Sequence, residues 1–335
     1  MTHIKIGTRG SRLALWQAYY VENLLKKGGL STEIVIIDTK GDQILDRSLA
    51  KIGSKGVFTQ ELEDQLRDGR IDIAVHSAKD LQSELDEDLE LIAFTERERV
   101  NDVLVSFKKG VSLRQSAVGS QQSAVGTLHS ALDTLHSSLN AHHSSLVVGT
   151  SSTRRVALLK HFYPHIQTVD MRGNLQTRLR KLEEGQCDAI LLAYAGVHRM
   201  EYDSLICEHL SLNEFIPAVG QGSVAIECSR EMDKEKMQQV RTLLNHPNTE
   251  TCLLAERAFL RRLQGGCSVP VFGLATLEND TVSMIGGVVS LDGQTLLKHT
   301  MSGSSMHPEN VGIQLAELLL SEGAADILAQ IKQNL

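Results

Sequence analysis

Between Ile4 and Tyr194, short apolar runs alternate with segments whose apolar residues recur at helical spacing. Ile4–Gly7, Glu33–Asp38, Ile71–Val75, Leu89–Phe94, Asp102–Ser106, Leu146–Gly149, Gln167–Met171 and Ala189–Tyr194 read as strands. Leu13–Leu25, Val57–Arg67, Arg155–His161 and Leu175–Glu184 read as helices. Such alternation predicts an α/β fold with parallel sheets covered by helices on both faces. Ligands of these sheets bind beyond the C-terminal ends of the strands. Arg9, the His76–Asp80 segment, Thr150–Arg155 and Arg172 all fall at those ends.

The stretch from Gly149 to Arg178 carries two clusters of arginine, Arg154 with Arg155 and Arg172 with Arg178. Each cluster sits beside turn-forming residues where a strand gives way to a helix. Thr150, Ser151 and Ser152 are good N-cap types, and a capped helix N-terminus collects backbone N–H groups that suit an anion. Arginine adds planar forks that hold carboxylates in two-point contact. The chain as a whole carries a net charge of -7, which disfavours a nucleic-acid surface. The arginines therefore describe a local positive field in an acidic protein.

At 335 residues the chain suits about two or three domains. No apolar run reaches the roughly 18 residues that a membrane helix needs. The N-terminus enters a strand pattern directly and lacks a signal-peptide core, so a cytoplasmic protein is expected. Beyond Pro217–Gly222 the pattern changes. Strand Val224–Cys228 is followed by helices Met232–Leu244 and Thr249–Leu263, then by strands Phe272–Leu277, Thr281–Ser290 and Thr295–Thr300. Helices Asn310–Ser321 and Ala324–Asn334 close the chain. Strands followed by helices mark a distinct C-terminal domain.

The five cysteines, Cys187, Cys207, Cys228, Cys252 and Cys267, form no CxxC pair, so neither a disulfide framework nor a structural zinc site is expected. Cys267 differs from the rest because it lies in a Gly-Gly-Cys-Ser loop, where a thiol is a candidate nucleophile or attachment point. Asp80, following a buried strand and next to Lys79, is the acid/base candidate. Lys51 and Lys55 fall in a Gly- and Lys-rich segment long enough to be a mobile functional loop. From Gln115 a seven-residue unit recurs, starting again at Gln122, His129, His136 and His143. The repeat accounts for its regularly spaced histidines without metal chemistry, and no metal site is assigned.

Read in order, TRGSRLALWQA, KGDQILD, KIGSKGVFTQELE, IAVHSAKD, GTSSTRR, RGNLQTRL, PAVGQGSVAIEC, LLAERAFLRRLQGGCSVP and LAELLLSEGA closely resemble the porphobilinogen deaminase family. The resemblance covers nearly the whole chain apart from the repeat insert. It implies an enzyme that joins four porphobilinogen units head to tail into hydroxymethylbilane with release of ammonia. It also implies a primer, a dipyrromethane cofactor held by a thioether to the cysteine of the GGC loop, here Cys267. The family's catalytic aspartate matches Asp80. Its cofactor contacts match Lys79, Arg154, Arg155, Ser77, Thr150 and Ser152, and its substrate contacts match Arg9, Ser11, Arg172, Arg178, Arg199 and Gln221. Lys51, Lys55 and Phe58 match its active-site loop.

The fold implied has three domains: two periplasmic-binding-protein-like α/β lobes linked by two hinge segments, plus a small α+β C-terminal domain. On this chain the first lobe is expected at 1–98 with 223–240, the second at 103–216 with the insert at about 115–145, and the third at 245–335. The hinges fall near Glu96–Asn101 and Pro217–Gly222. The implied partner is the small molecule porphobilinogen, with no nucleic acid and no membrane, and the expected state is a monomer. Where the family's usual pattern has a proline two residues after the aspartate, this chain has Gln82, so a less rigid loop is expected there. A reading from another class is a polycarboxylate-binding or sensor protein on the same two-lobed scaffold. The GGC loop and Asp80 disfavour it, because a binder needs neither.

Overall fold

The computed structural model describes residues 2–39, 59–114, 145–266 and 269–333. Three sheets organise them. The first has the order β2-β1-β3-β10-β4, built from His3–Arg9 (β1), Ser31–Ile37 (β2), Ile73–Ser77 (β3), Leu89–Phe94 (β4) and Val224–Ser229 (β10). The second has the order β7-β6-β8-β5-β9, built from Asp102–Val105 (β5), Val147–Gly149 (β6), Gln167–Val169 (β7), Ala189–Ala193 (β8) and Ile206–His209 (β9).

The two sheets follow one plan. Three parallel strands come first, then one strand antiparallel to both its neighbours, then an edge strand. In each sheet the antiparallel strand arrives from the other lobe: β5 follows β4, and β10 follows β9. The expected all-parallel sheets are therefore mixed sheets. Apolar runs such as Asp102–Val105, buried at every position, report burial but carry no direction. Exchange of these two strands makes residues 95–101 and 210–223 the only chain that links β4 to β5 and β9 to β10.

Local sequence accounts for the elements around the strands. The helix Arg12–Lys27 starts at Ser11, whose Oγ accepts from the N–H of Ala14, and ends on Lys26 and Lys27, which suit the negative end of the helix dipole. Its buried face is Gln17, Ala18, Val21 and Leu25, at helical spacing. Among the described residues, one α-helix and one strand escaped the sequence reading. The helix Tyr194–Arg199 follows β8 without a break in the apolar run, and the edge strand β9 is half-exposed and only four residues long.

The third sheet is an antiparallel meander, Val271–Glu278 (β11), Thr281–Val289 (β12) and Leu296–Ser304 (β13). The helices Pro247–Arg262 and Pro308–Leu319, each with proline at its start, pack on it around Phe259, Met284 and Leu315. The strands-then-helices reading of the C-terminal part holds. Among the described residues no helix is long and apolar enough to cross a membrane.

Candidate active site

The C-terminal end of β3 lies beside a crossing segment, and Lys79 just beyond it is within electrostatic reach of Asp102, Arg154 and Arg155 of the second lobe. β3 ends at Ser77 and gives way to a single 3-10 turn, Ala78–Asp80. Several contacts fix this turn. Ala78 donates its N–H to Ser223 O at 3.0 Å, Ser77 Oγ accepts from Gln17 Nε2 at 2.8 Å, and Leu81 is buried with Phe94, Ala225 and Leu253. Asp80 itself remains exposed. Lys79 shares the electrostatic field of Asp102, Arg154 and Arg155. Burial pushes its ammonium down to about 8, against the pull of Asp80 and Asp102 and with the help of Arg155 and Arg154.

Those arginines occupy the second lobe. Ser152 caps the helix Thr153–Phe162 by accepting from Arg155 N, and Thr150 Oγ1 accepts from Ser152 N at 3.3 Å. The hydroxyl-rich turn is thus first a helix cap, as its residue types predict. Arg154 and Arg155 then fold inward, each 5 % exposed. Arg154 Nη2 and Arg155 Nη2 each lie 2.8 Å from a different carboxylate oxygen of Asp102, which is fully buried. Arg154 Nη1 also donates to Ile216 O at 2.8 Å, and Arg155 Nη1 to Leu191 O at 2.9 Å. Burial alone raises a carboxyl's pKa, but the two guanidinium groups more than offset it and hold Asp102 well below the usual carboxylate range. The Nε atoms of both arginines are buried and lack a hydrogen-bond partner among the described residues.

Arg178, one turn into the next helix, donates from Nε to Gly173 O at 2.8 Å. Burial lowers it to about 10, Arg155 adds to that, and Asp80 and Asp170 oppose it. Asp80 of the first lobe and Arg178 of the second therefore share one electrostatic environment. Arg172 pairs with Asp170 at 2.6 Å, and Arg9 lies partly exposed at the end of β1.

Two expected substrate contacts are engaged elsewhere. Gln221, 1 % exposed, donates to Val100 O at 2.7 Å and to Asp102 Oδ1 at 2.9 Å, so it reaches the site through Asp102. Arg199 donates to Gly222 O at 2.8 Å and lies over the Trp16 ring at 5.2 Å, joining a second-lobe helix to a first-lobe one.

The crossing segments are knotted to the third domain. Arg97 forms a two-point pair with the fully buried Glu256, at 2.6 and 3.1 Å, and Glu256 also accepts from Gly220 N and Ala275 N, each at 2.8 Å. Gly220, at φ +78, lies so close to the Ala78–Lys79 peptide that a Cβ would stand 2.8 Å from Ala78 C. Gly222, at φ +100, presses in the same way on Glu98 O. Only glycine fits here, because both the positive φ and the close backbone approach exclude a side chain.

Asp102, Glu256, Arg97 and Gln17 were missed from the sequence. A weak signal existed for Asp102: an acid heading an otherwise apolar strand. Cys267, Lys51, Lys55, Phe58 and the repeat insert lie outside the described residues. The approach to the cysteine is anchored by Gly265 N, which donates to Leu260 O at 3.0 Å.

Comparison with known proteins completes the picture. The family described as "Porphobilinogen deaminase, dipyromethane cofactor binding domain" matches residues 4–239, and "Porphobilinogen deaminase, C-terminal domain" matches 250–321. The porphobilinogen deaminase of Cytophaga hutchinsonii is 55% identical over 332 residues, covering 99% of this chain and 98% of the relative. That of Desulfosudis oleivorans is 50% identical over 331 residues, with 99% and 98% covered. Among solved structures, the VFT2 domain of BvgS from Bordetella pertussis aligns at TM-score 0.40 and 17% identity, over 72% of this chain and 85% of that one. With both family domains matched in order and close relatives aligned end to end, the chain belongs to the porphobilinogen deaminase family.

Proposed function

We propose that this chain joins four porphobilinogen molecules head to tail, releases ammonia at each addition and yields hydroxymethylbilane. The observation that carries the reading is an exposed carboxylate, Asp80, on a rigid turn beside Lys79 and facing Arg178. The cationic lining matches the substrate. Each pyrrole brings an acetate and a propionate, so a growing chain gains two negative charges per step, and Lys79, Arg154, Arg155 and Arg178 outnumber Asp80 and Asp102. The same donors, with Ser77, Thr150 and Ser152, suit the carboxylates of a dipyrromethane, and the unpartnered Nε atoms of Arg154 and Arg155 leave donor capacity there.

Dipyrromethane, when joined to Cys267, would supply the pyrrole carbon from which the product is extended. Asp80 stabilises the positive charge left on the incoming pyrrole as ammonia departs, and relays the pyrrole nitrogen proton. Arg9, Ser11, Arg172 and Arg178 hold substrate carboxylates, and Lys51, Lys55 and Phe58 are assigned to the active-site loop by the family pattern. Asp102 and Gln221 keep Arg154 and Arg155 in place. We assign 1–98 with 223–240 to the first lobe, 103–216 to the second and 245–335 to the third domain; the membership of the three sheets supports these bounds. The enzyme is expected to work in the cytoplasm as a monomer.

Intact-mass measurement of the freshly purified protein tests the reading. The expected mass is the polypeptide plus one dipyrromethane, and Cys267→Ser removes the increment. A bare polypeptide mass in the parent contradicts it.

A further inference from the structure

The helix Pro247–Arg262 carries Leu253, Glu256 and Arg257 at i, i+3 and i+4, on one face. Leu253 is fully buried against the Asp80 turn, with Ala78 and Leu81. Glu256 holds the crossing segments. Arg257 does something different. Its Nη2 donates to Gln82 O at 2.9 Å and lies 3.4 Å from Ser83 O, on the chain just beyond Asp80.

Burial lowers this guanidinium to about 10; Arg261 adds to the effect and Glu227 opposes it. Withdrawing a cation from water is costly unless its hydrogen bonds are made, so the contact with the two carbonyls is a specific one. It falls where this chain has Gln82 in place of the family's proline. Leu81, at φ -73 and ψ 148, has the extended backbone that a residue before proline requires. The same helix runs directly into the Gly265-Gly266 loop that bears Cys267.

We propose that Arg257 is a positioning residue for the deaminase reaction: it ties the Asp80 loop to the helix that leads to the cofactor cysteine. One element thereby holds the Asp80 loop and leads in sequence to the anchor. The inference rests on the deaminase reading and on the role of Asp80 in it.

Its test compares the full-length holoenzyme with Arg257→Gln, Arg257→Lys, Arg257→Gln combined with Gln82→Pro, and Asp80→Asn. Arg257→Gln is expected to carry the covalent cofactor at parental increment and to keep KM within about twofold. Its kcat falls about ten- to a hundredfold, the scale of loss when a catalytic group is slightly misplaced. Arg257→Lys retains more of the rate, and Gln82→Pro restores part of it by stiffening the loop directly. A parental kcat in Arg257→Gln overturns the inference. So does a loss that follows the thermal midpoint and is untouched by Gln82→Pro. If Arg257→Gln does not accumulate folded, Arg257→Lys decides: lowered kcat at an unchanged midpoint supports the role, and parental kcat overturns it. Turnover retained in Asp80→Asn removes the underlying reading, whereas turnover lost there but kept in Arg257→Gln removes this inference alone.

Discussion

Each lobe takes its fourth strand from the other side of the molecule, and each of those strands carries one fully buried acid, Asp102 on β5 and Glu227 on β10. Asp102 is held by two arginines and Gln221. Glu227 meets a single histidine, His76 of β3, at 3.0 Å, and its other oxygen is buried without a hydrogen-bond partner among the described residues. A third acid, Glu63, lies in the same region, its pKa raised by burial, against the pull of Thr59 and with a contribution from Glu227. One topology thus supports two electrostatic characters. The second lobe locks permanent cations around an acid and keeps a preformed positive site. The first lobe is acid-rich beneath the strand that delivers Asp80, and presents its carboxylate on a turn fixed by packing and backbone contacts. The charge that receives the substrate and the charge that acts on it are built by separate means and meet only across the crossing segments.

The sharpest way to break the comparison is Asp102→Ala. It leaves two buried guanidinium groups without their counter-ion, and the expected loss is about 3–5 kcal/mol of stability, read from denaturant unfolding. A loss below 1 kcal/mol would mean that the arginines find other partners. Glu227→Gln is expected to cost less, about 1–2 kcal/mol, because a neutral amide still bonds His76 and only one charged hydrogen bond is weakened. Equal losses for the two variants would erase the distinction between the lobes.

The smallest expected effect is that of pH on Lys79. The folded chain releases this proton near pH 8, the unfolded chain near the ordinary 10.5. Between those values the unfolded state binds more protons, so the Lys79 contribution to stability rises with pH, while below 8 the cost of burying the ammonium is felt in full. Anion binding runs the other way, because the positive charge is lost as pH passes 8. KM for porphobilinogen is expected to rise about two- to fivefold between about pH 7 and pH 9, and Lys79→Arg to flatten that rise. A KM independent of pH in the parent would mean that the charge of Lys79, from its place in the cationic lining, does not reach the incoming substrate.

Much of this was legible in the sequence. Strand β4 was read at its observed bounds, Leu89–Phe94, and β3, β6 and β8 to within two residues. Their buried apolar runs and the capping serines Ser11 and Ser152 state their roles locally. Direction was not legible: β5 and β10 are antiparallel because of where the chain crosses, and nothing within Asp102–Val105 or Val224–Ser229 encodes that. The arginines at 154 and 155 were found, but not the acid that organises them, since Asp102 and Arg154 meet only after β5 enters the second sheet. For the same reason Gln221 was read as a ligand contact, although its amide is enclosed between Val100 and Asp102.

The central claim is that Asp80 of one lobe acts on substrate held by the other. Asp80→Asn holoprotein, mixed with porphobilinogen and followed by intact mass, tests it most directly. The account predicts a species carrying the cofactor on Cys267 with no further pyrrole increments, while the parent shows a ladder of successive additions. An undiminished ladder in Asp80→Asn would contradict it.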